Sequence, residues 1–402
     1  MKVTRNGLLA QVSAAHLISH LHIMTLPALL PLLPGVMQVG FVELGIAIGV
    51  FNIVTAMVQI PLGFMVDRVG AQRMLLAALL LGSLSFGLLA AMPTYTCLLV
   101  IMALAGLANG VYHPADYSLL SRGVAPERMG RAFSVHTFSG FLGGALAPPV
   151  MIGVALMLEP RWAFAVAAIA GLLVFALVMP GVGQALPDQG NADAPRGDQR
   201  PLATPVASLA ILILLFMMLN LSTGSIEQFS VSALVGGFAV SLPDANRALT
   251  VFLFATAFGV LAGGVLADRT ERHGALAGIA FALAACLAIL VATVPLSPMM
   301  LALVLGATGF LAGMVAPSRD MLVRAASPAG AEGRTFGIVS TGFNLGGVIG
   351  PILFGFMLDQ GWYTTLFWAT AAFMGTTTLI VLLQEQRKSS HTEVKPIEAG
   401  VN

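Results

Sequence analysis

Long apolar segments recur along the whole chain. Segments of about 20 apolar residues, the length an α-helix needs to cross roughly 30 Å of hydrocarbon, lie at residues 8–33, 44–66, 74–92, 96–120, 132–158, 161–180, 206–236, 247–267, 275–295, 298–323, 335–358 and 361–383. We number them segments 1 to 12. The pattern predicts an all-α membrane protein with twelve transmembrane helices.

One long polar stretch interrupts this pattern. The sequence GVGQALPDQGNADAPRGDQRPLATP separates segment 6 from segment 7. It predicts a six-helix bundle over residues 1–180, a cytoplasmic linker over 181–205, a second six-helix bundle over 206–384 and a cytoplasmic tail over 385–402.

The basic residues predict the orientation. Of the 19 lysines and arginines, Arg161 and Arg247 fall on one side, Arg319 lies within a segment, and the remaining sixteen fall in the loops and tails of the other side. Basic loops stay in the cytoplasm. We therefore expect both termini to be cytoplasmic.

Composition narrows the class of protein. Hydrophobic residues make up 57% of the chain and charged residues 9%, whereas about a quarter of a soluble domain is charged. The net charge of +1 predicts no nucleic-acid partner. The two cysteines, Cys97 and Cys286, lie in apolar segments and show no redox or metal-ligand spacing.

The two halves repeat one another. GFMVDRVGAQR at 63–73 corresponds to GVLADRTERHG at 264–274, and residues 113–134 align without a gap with residues 316–337. Pro114 then matches Pro317. Two parallel six-helix repeats indicate a transporter whose substrate site lies near the midplane, where the halves meet.

The loop GFMVDRVGAQR resembles the loop signature of the major facilitator superfamily, and the second copy strengthens the resemblance. HLISHLH in segment 1 and HPADYSLLSR in segment 4 are similar to exporters of the fosmidomycin-resistance type. The resemblance implies two pseudo-symmetric six-helix bundles in a bacterial inner membrane. The antiporter signature of segment 5 occurs in altered form as SGFLGGALAPP, with Ala147 before Pro148, so export and import both stay open.

The same resemblance implies an inner gate. Its loops carry an Asp-Arg pair that helps to lock the cytoplasmic face. We assign six residues to this gate and not to substrate: Asp67, Arg68, Arg73, Arg122, Asp268 and Arg269.

Segment 4 carries a polar stripe at helical spacing, formed by Asn109, Tyr112, His113 and Asp116. An ionisable side chain in mid-membrane costs roughly 2.5 to 3.5 kcal/mol, so it normally faces a wet cavity or a partner. One hypothesis makes Asp116 a proton-binding carboxylate and His113 its relay or a ligand contact. The alternative places Asp116 in the gate network with Arg122, Arg68 or Arg73.

Segment 7 offers a second proton-coupling candidate. Glu227 is the only acid of that segment, and it shares a face with Asn220. The alternative is a permanently protonated glutamic acid that makes one hydrogen bond. Asn220, and Asn344 of segment 11, are candidate cavity residues or ties between helices.

Arg319 occupies the position in segment 10 that corresponds to Asp116. A fixed guanidinium in a central cavity favours an anion, because its planar donors match carboxylate and phosphonate oxygens. The alternative is that Arg319 pairs with Asp116 or Asp320 and stabilises a closed state. Asp320 and Arg324, four residues apart, are expected to form an ordinary helix pair.

The histidines of segment 1 raise the question of a metal. His16 and His20 share a face, but His22 points about 160° away from His20, so the three do not converge without help from another helix. No cysteine or carboxylate is close in sequence. We therefore expect no metal and no cofactor. His20 or His22 is expected to line the cavity and titrate near neutral pH, with the substrate contacts completed by Tyr112, Asn109 and Arg319.

The sequence lacks a P-loop for an ATP-driven pump and a reacting constellation for a membrane enzyme. It therefore predicts a secondary transporter and not an enzyme. We expect proton-coupled export of a small organic anion or drug of the phosphonate or carboxylate type by alternating access; the alternative is proton-symport import of an organic acid or metal chelate. The expected partners are an anionic or amphiphilic small molecule, protons and the lipid bilayer, and the expected state is a monomer.

Overall fold

The computed structural model describes residues 5–125, 128–181, 206–270, 272–327 and 332–393. Every regular element in these ranges is helical. The helices are α1 Arg5–Leu29, α2 Leu33–Met37, α3 Phe41–Val69, α4 Ala71–Ala91, α5 Tyr95–Gly123, α6 Met129–Met157, α7 Pro160–Val178, α8 Val206–Gly237, α9 Leu242–Ala267, α10 His273–Thr293, α11 Pro298–Ala326, α12 Glu332–Val339, α13 Thr341–Asp359 and α14 Tyr363–Glu393.

Within the described ranges, twelve helices are long and apolar enough to span a membrane, which confirms the predicted fold class. Segment 1 ends earlier than expected: α1 stops at Leu29, and the short α2 begins with Pro34 in its first turn. Proline lacks the N–H that would continue the preceding helix, so the prolines of LPLLPG divide the segment. Segment 11 is likewise divided at Ser340, between α12 and α13.

The predicted linker at 181–205 lies outside the described residues apart from Gly181. At the other end of the second bundle, α14 continues to Glu393, beyond the predicted boundary at 384. The sequence there, QEQRK, consists of good helix formers, so the helix does not stop where its apolar part stops. The rest of the predicted tail, 394–402, lies outside the described residues.

Corresponding helices pack in the same way in the two halves. In the first half α1 packs along α6, α3 along α5 and α4 along α7; in the second half α8 packs along α13, α9 along α11 and α10 along α14. The halves meet mainly through α3 against α13 and α6 against α9. The sequence repeat therefore appears as a structural repeat.

Glycines permit the closest helix contacts. A Cβ atom on Gly143 of α6 would collide with the backbone carbonyl of Leu17 on α1, and one on Gly140 would lie 2.6 Å from Nε2 of His16. Small residues at such positions let membrane helices approach closely. This close approach brings the His16 side of α1 directly against α6.

The two ends of the helix bundle differ. We call the end that carries Asp67-Arg68 and Asp268-Arg269 the basic face, and the other end the opposite face. At the opposite face the Asp359 carboxylate, at the end of α13, accepts hydrogen bonds from the N–H groups of Phe41 (2.7 Å) and Val42 (2.8 Å) at the start of α3. Deeper in the same contact, the Asn52 amide donates a hydrogen bond to the Gly347 carbonyl at 2.9 Å.

Candidate functional site

The polar stripe of α5 divides between a buried and an accessible side. Asp116 is fully buried, and Tyr112 is nearly so. His113 and Tyr117 are exposed. Pro114 lies inside α5, which continues from Tyr95 to Gly123. The stripe therefore presents a ring that solvent can reach next to a carboxylate that solvent does not reach.

Asp116 lies between two histidines that come from other helices. Its Oδ2 atom is 3.4 Å from Nδ1 of His16 on α1 and 3.3 Å from Nε2 of His136 on α6. Neither contact has the alignment of a hydrogen bond: both carboxylate oxygens and both of these ring nitrogens lack a hydrogen-bond partner. An acid and two imidazoles thus converge on one buried point.

Two further rings complete what we call the histidine cluster, which comprises His16, His20, His113, Asp116 and His136. The ring centroid of His16 lies 4.7 Å from that of His20, 5.4 Å from that of His113 and 3.9 Å from that of His136. The exposed His113 therefore connects the buried members of the cluster with the accessible side of α5.

These contacts correct one expectation and complete another. Asp116 was expected either to bind protons beside His113 or to join arginines of the gate, and the second arrangement is wrong: the carboxylate is next to the imidazoles of His16 and His136. The three histidines of segment 1 were expected not to converge without help from another helix, and His22 does lie elsewhere. His16 meets a carboxylate and a third imidazole from α5 and α6, which no spacing within segment 1 could indicate.

Sequence reasoning missed His16 and His136 as site residues. One signal was available for His136: it shares a helix face with Gly140 and Gly143, and small residues at that spacing indicate close packing against another helix. The spacing does not identify the partner helix.

Two other predicted contacts lie elsewhere. His22 is buried, and its Nε2 atom lies 3.0 Å from the carbonyl oxygen of Ala167 on α7, so it serves as a contact between helices and not as a cavity ring. Asn109 donates a 3.5 Å hydrogen bond to Thr55 of α3, and Thr55 in turn bonds to the Gly106 carbonyl. This chain ties α3 to α5.

Arg319 lies at the repeat-equivalent position in α11. Its guanidinium carbon is 4.9 Å from the ring centroid of Phe216 on α8 and 5.1 Å from that of Phe343 on α13. The guanidinium also binds the neighbouring Asp320 through Nη2 at 2.7 Å and Nε at 2.8 Å. The expected pair of Asp320 with Arg324 is therefore wrong, because Asp320 faces Arg319.

The remaining predicted site residues of the second half are partly exposed. Glu227, Asn220 and Asn344 all have intermediate burial. Among the described residues, Glu227 has no ion pair. Asn220 packs where α8 and α13 approach closely, so that a Cβ on Gly346 would lie 2.8 Å from the Cβ of Asn220.

The predicted gate residues are separated at the basic face. Asp67, Arg68, Arg73, Arg122, Asp268 and Arg269 are all exposed, and within the described ranges none of them forms an ion pair. A cleft of about 410 Å³ extends between α6 and α9 from Phe141 to Asp268. A cleft thus separates α6 from α9 toward the basic face, while at the opposite face Asp359 joins α13 to α3.

Two six-helix repeats, closed together at one face and parted by a cleft at the other, with charged side chains at equivalent positions of the halves, define a membrane transporter. The chain belongs to the Major Facilitator Superfamily, whose profile matches residues 12–243 and 209–400. This confirms the family resemblance of the loop motifs.

Known relatives include drug-resistance proteins. The chain is 26% identical over 288 residues to the fosmidomycin resistance protein of Escherichia coli (strain K12), which covers 69% of this chain and 70% of that protein. It is 25% identical over 361 residues to the multi-drug resistance efflux pump PmrA of Streptococcus pneumoniae (strain ATCC BAA-255 / R6), covering 87% and 88%. A crystal structure of a bacterial homologue of the human lysosomal transporter Spinster, inward-facing and occupied, superimposes with a TM-score of 0.76 at 14% identity over 98% of each chain; it is evidence for the fold alone.

Proposed function

We propose that this protein exports a small organic anion or drug across a bacterial inner membrane, driven by protons and by alternating access of the two bundles. The observation that carries the proposal is that the two halves place side chains of opposite charge at repeat-equivalent positions. Asp116 with its histidines lies in one half, and Arg319 lies in the other. The relatedness to drug-resistance proteins supports the direction of transport.

Arg319 supplies the anion contact. Its guanidinium lies over the rings of Phe216 and Phe343, at 4.9 and 5.1 Å from their centroids, and its donors are engaged by a single carboxylate from Asp320. The Asp320 side chain is 49% exposed, so it can move away at little cost. A phosphonate or carboxylate substrate then replaces Asp320 on the guanidinium, and the two phenyl rings favour a substrate with an apolar part.

The histidine cluster supplies the proton site. Asp116 is buried without hydrogen bonds, and an isolated buried charge is costly, so the carboxylate gains by taking up a proton. The exposed His113 is the relay between solvent and this carboxylate. Glu227, in the other half and without an ion pair among the described residues, is the second carboxylate that we assign to proton coupling.

Alternating access follows from the two faces. We assign the basic face to the cytoplasm, with both termini on that side, because the basic residues concentrate there. The cleft then corresponds to an inward-open state of a monomer. In the outward-open state the gate residues Asp67, Arg68, Asp268 and Arg269 come together, and the contacts of Asp359 with α3 break.

Resistance measurements test this proposal. Bacteria lacking their own exporters are transformed with the wild type, Arg319→Ala or Arg247→Ala, and the inhibitory concentrations of fosmidomycin and a panel of carboxylate drugs are measured. Arg247→Ala is the matched control, because Arg247 also pairs with a nearby aspartate, at 3.0 Å from Asp244, but lies at the opposite face. We expect resistance in the wild type and the control and its loss in Arg319→Ala. No resistance across the panel, or equal resistance in all three, contradicts anion export through Arg319.

A further inference from the structure

Three potential metal ligands converge inside the first bundle. Nδ1 of His16, Oδ2 of Asp116 and Nε2 of His136 lie within 4.8 Å of one another, and all three residues are buried. They come from three different helices, α1, α5 and α6. The fold, and not local sequence, assembles this donor set.

The distances match those between ligands of a tetrahedral metal ion. Bond lengths of about 2.0 to 2.2 Å from Zn²⁺ to imidazole nitrogen and carboxylate oxygen separate neighbouring ligand atoms by roughly 3.3 to 3.5 Å. Here Oδ2 of Asp116 lies 3.4 Å from the His16 nitrogen and 3.3 Å from the His136 nitrogen. Both separations have the required value, and the two histidine nitrogens lie within 4.8 Å of each other.

Hydrogen bonding does not account for the same arrangement. Buried polar groups are almost always hydrogen-bonded, yet the His16 Nδ1, Asp116 and His136 atoms all lack such partners. Donors and acceptors that had come together to share protons would align N–H with oxygen. A cation that accepts a lone pair from each atom satisfies all three at once.

The donor set also indicates which ion fits. Two imidazoles and one carboxylate suit Zn²⁺ and similar first-row transition metals, whereas Mg²⁺ and Ca²⁺ prefer oxygen ligands throughout. Three protein ligands leave one coordination position open, as in exchangeable zinc sites. The exposed ring of His113 lies 5.4 Å from that of His16, so the accessible side of α5 is close to the site.

We infer that His16, Asp116 and His136 form a binding site for a divalent transition-metal ion of the Zn²⁺ type within the first bundle. The inference goes beyond the proposed function and stands even if no anion is transported. Because Asp116 can hold either a proton or the ion, metal binding competes with protonation of the same carboxylate. A bound ion therefore blocks proton coupling through Asp116 or is itself carried.

The test is a titration of the purified full-length protein, stripped with a chelator, with Co²⁺ and then Zn²⁺. Co²⁺ in a tetrahedral site of this type has strong visible absorption bands, and Zn²⁺ displaces it without colour. The variants are His16→Gln, Asp116→Asn and His136→Gln. The controls are His22→Gln, a histidine of α1 outside the cluster, and His273→Gln, at the start of α10.

We expect the wild type and both controls to bind one equivalent of Co²⁺ with tetrahedral bands, and each ligand variant to bind at least about tenfold more weakly. Absence of the bands in the wild type overturns the inference, whatever the variants do. Absorption bands that persist unchanged in folded His16→Gln and Asp116→Asn protein also overturn the inference. The resistance assay with Arg319→Ala is independent of this titration, so failure of one proposal is distinguishable from failure of the other.

Discussion

Substitution of Asp359 is expected to shift the equilibrium between the states closed and open at the opposite face, because its carboxylate joins the two halves there. Its two oxygens accept the N–H groups of Phe41 and Val42 at the first turn of α3. These donors are among those that a helix leaves unsatisfied at its N-terminus, where negative charge is also favoured by the helix dipole. Asp359→Asn removes the charge and one of the two acceptors while it keeps the size of the side chain.

The expected magnitude follows from these contacts. A hydrogen bond to a charged group contributes about 1.5 to 3 kcal/mol and a helix-terminal charge about 0.3 to 1 kcal/mol. Asp359 is exposed, which weakens both effects, and asparagine retains one hydrogen bond. We expect a loss of about 1 to 2 kcal/mol from the state that is closed at this face, which raises the population open there by about 5- to 30-fold.

Alkylation of a buried cysteine measures this population. Ile48 is 4% exposed and lies on the α3 face that carries Gly45 and Asn52 toward α13. In a Cys97→Ser, Cys286→Ser background, the thiol of Ile48→Cys reacts with a polar maleimide only when the opposite face opens. We expect Asp359→Asn to accelerate labelling 5- to 30-fold.

The matched control for this experiment is Asp244→Asn. Asp244 also lies in the first turn of a helix at the opposite face, but its contacts are with Ser241 and Arg247 of the same half. It is expected to leave the labelling rate unchanged. If folded Asp359→Asn protein labels no faster than this control, Asp359 does not hold the halves together and the reasoning is refuted.

Two further predictions concern packing and the anion contact. Gly143→Val forces a side chain against the Leu17 carbonyl, so we expect a loss of about 1 to 3 kcal/mol of stability and a lower midpoint of thermal unfolding. The control is Gly153→Val in the same helix, where a Cβ meets no atom within 4 Å. An equal change in both variants contradicts the prediction. Arg319→Lys keeps the positive charge but loses the guanidinium contacts with two aromatic rings, worth about 1 to 2 kcal/mol, and the planar donors that match a carboxylate or phosphonate. We expect the KM for the transported anion to rise roughly tenfold, and an unchanged KM contradicts contact through the guanidinium.

The number and type of the spanning helices could be predicted from sequence because the membrane imposes a strong, local requirement. A helix that crosses hydrocarbon must be apolar over about 20 residues, and this signal needs no knowledge of neighbouring helices. The ends of the helices are less well determined by the sequence. The polar residues after 384 continue α14 although they carry no membrane signal, and the prolines after Leu29 divide segment 1 within an apolar run.

The site was harder to predict because its contacts join distant parts of the chain. His16, Asp116 and His136 come from three helices, so no residue spacing within a single segment could indicate that they form one cluster. Arg319 could be singled out because the repeat aligns it with Asp116, but its partner could not: the sequence left both Asp116 and Asp320 open, and only the fold places Asp320 at the guanidinium. The local sequence pattern identifies a charged residue within a membrane segment, but the packing of the helices determines which side chain it contacts.

We predict that proton movement through the carboxylates of Asp116 and Glu227 drives transport, and a measurement in proteoliposomes tests this directly. Uptake of radiolabelled fosmidomycin, or of the best anion from the resistance panel, is followed under an imposed pH gradient for the wild type, Asp116→Asn and Glu227→Gln, with Asp244→Asn as the control. We predict accumulation above the equilibrium level in the wild type and the control, and only equilibration in the two other variants. Undiminished accumulation in both Asp116→Asn and Glu227→Gln contradicts the assignment of proton coupling to these carboxylates.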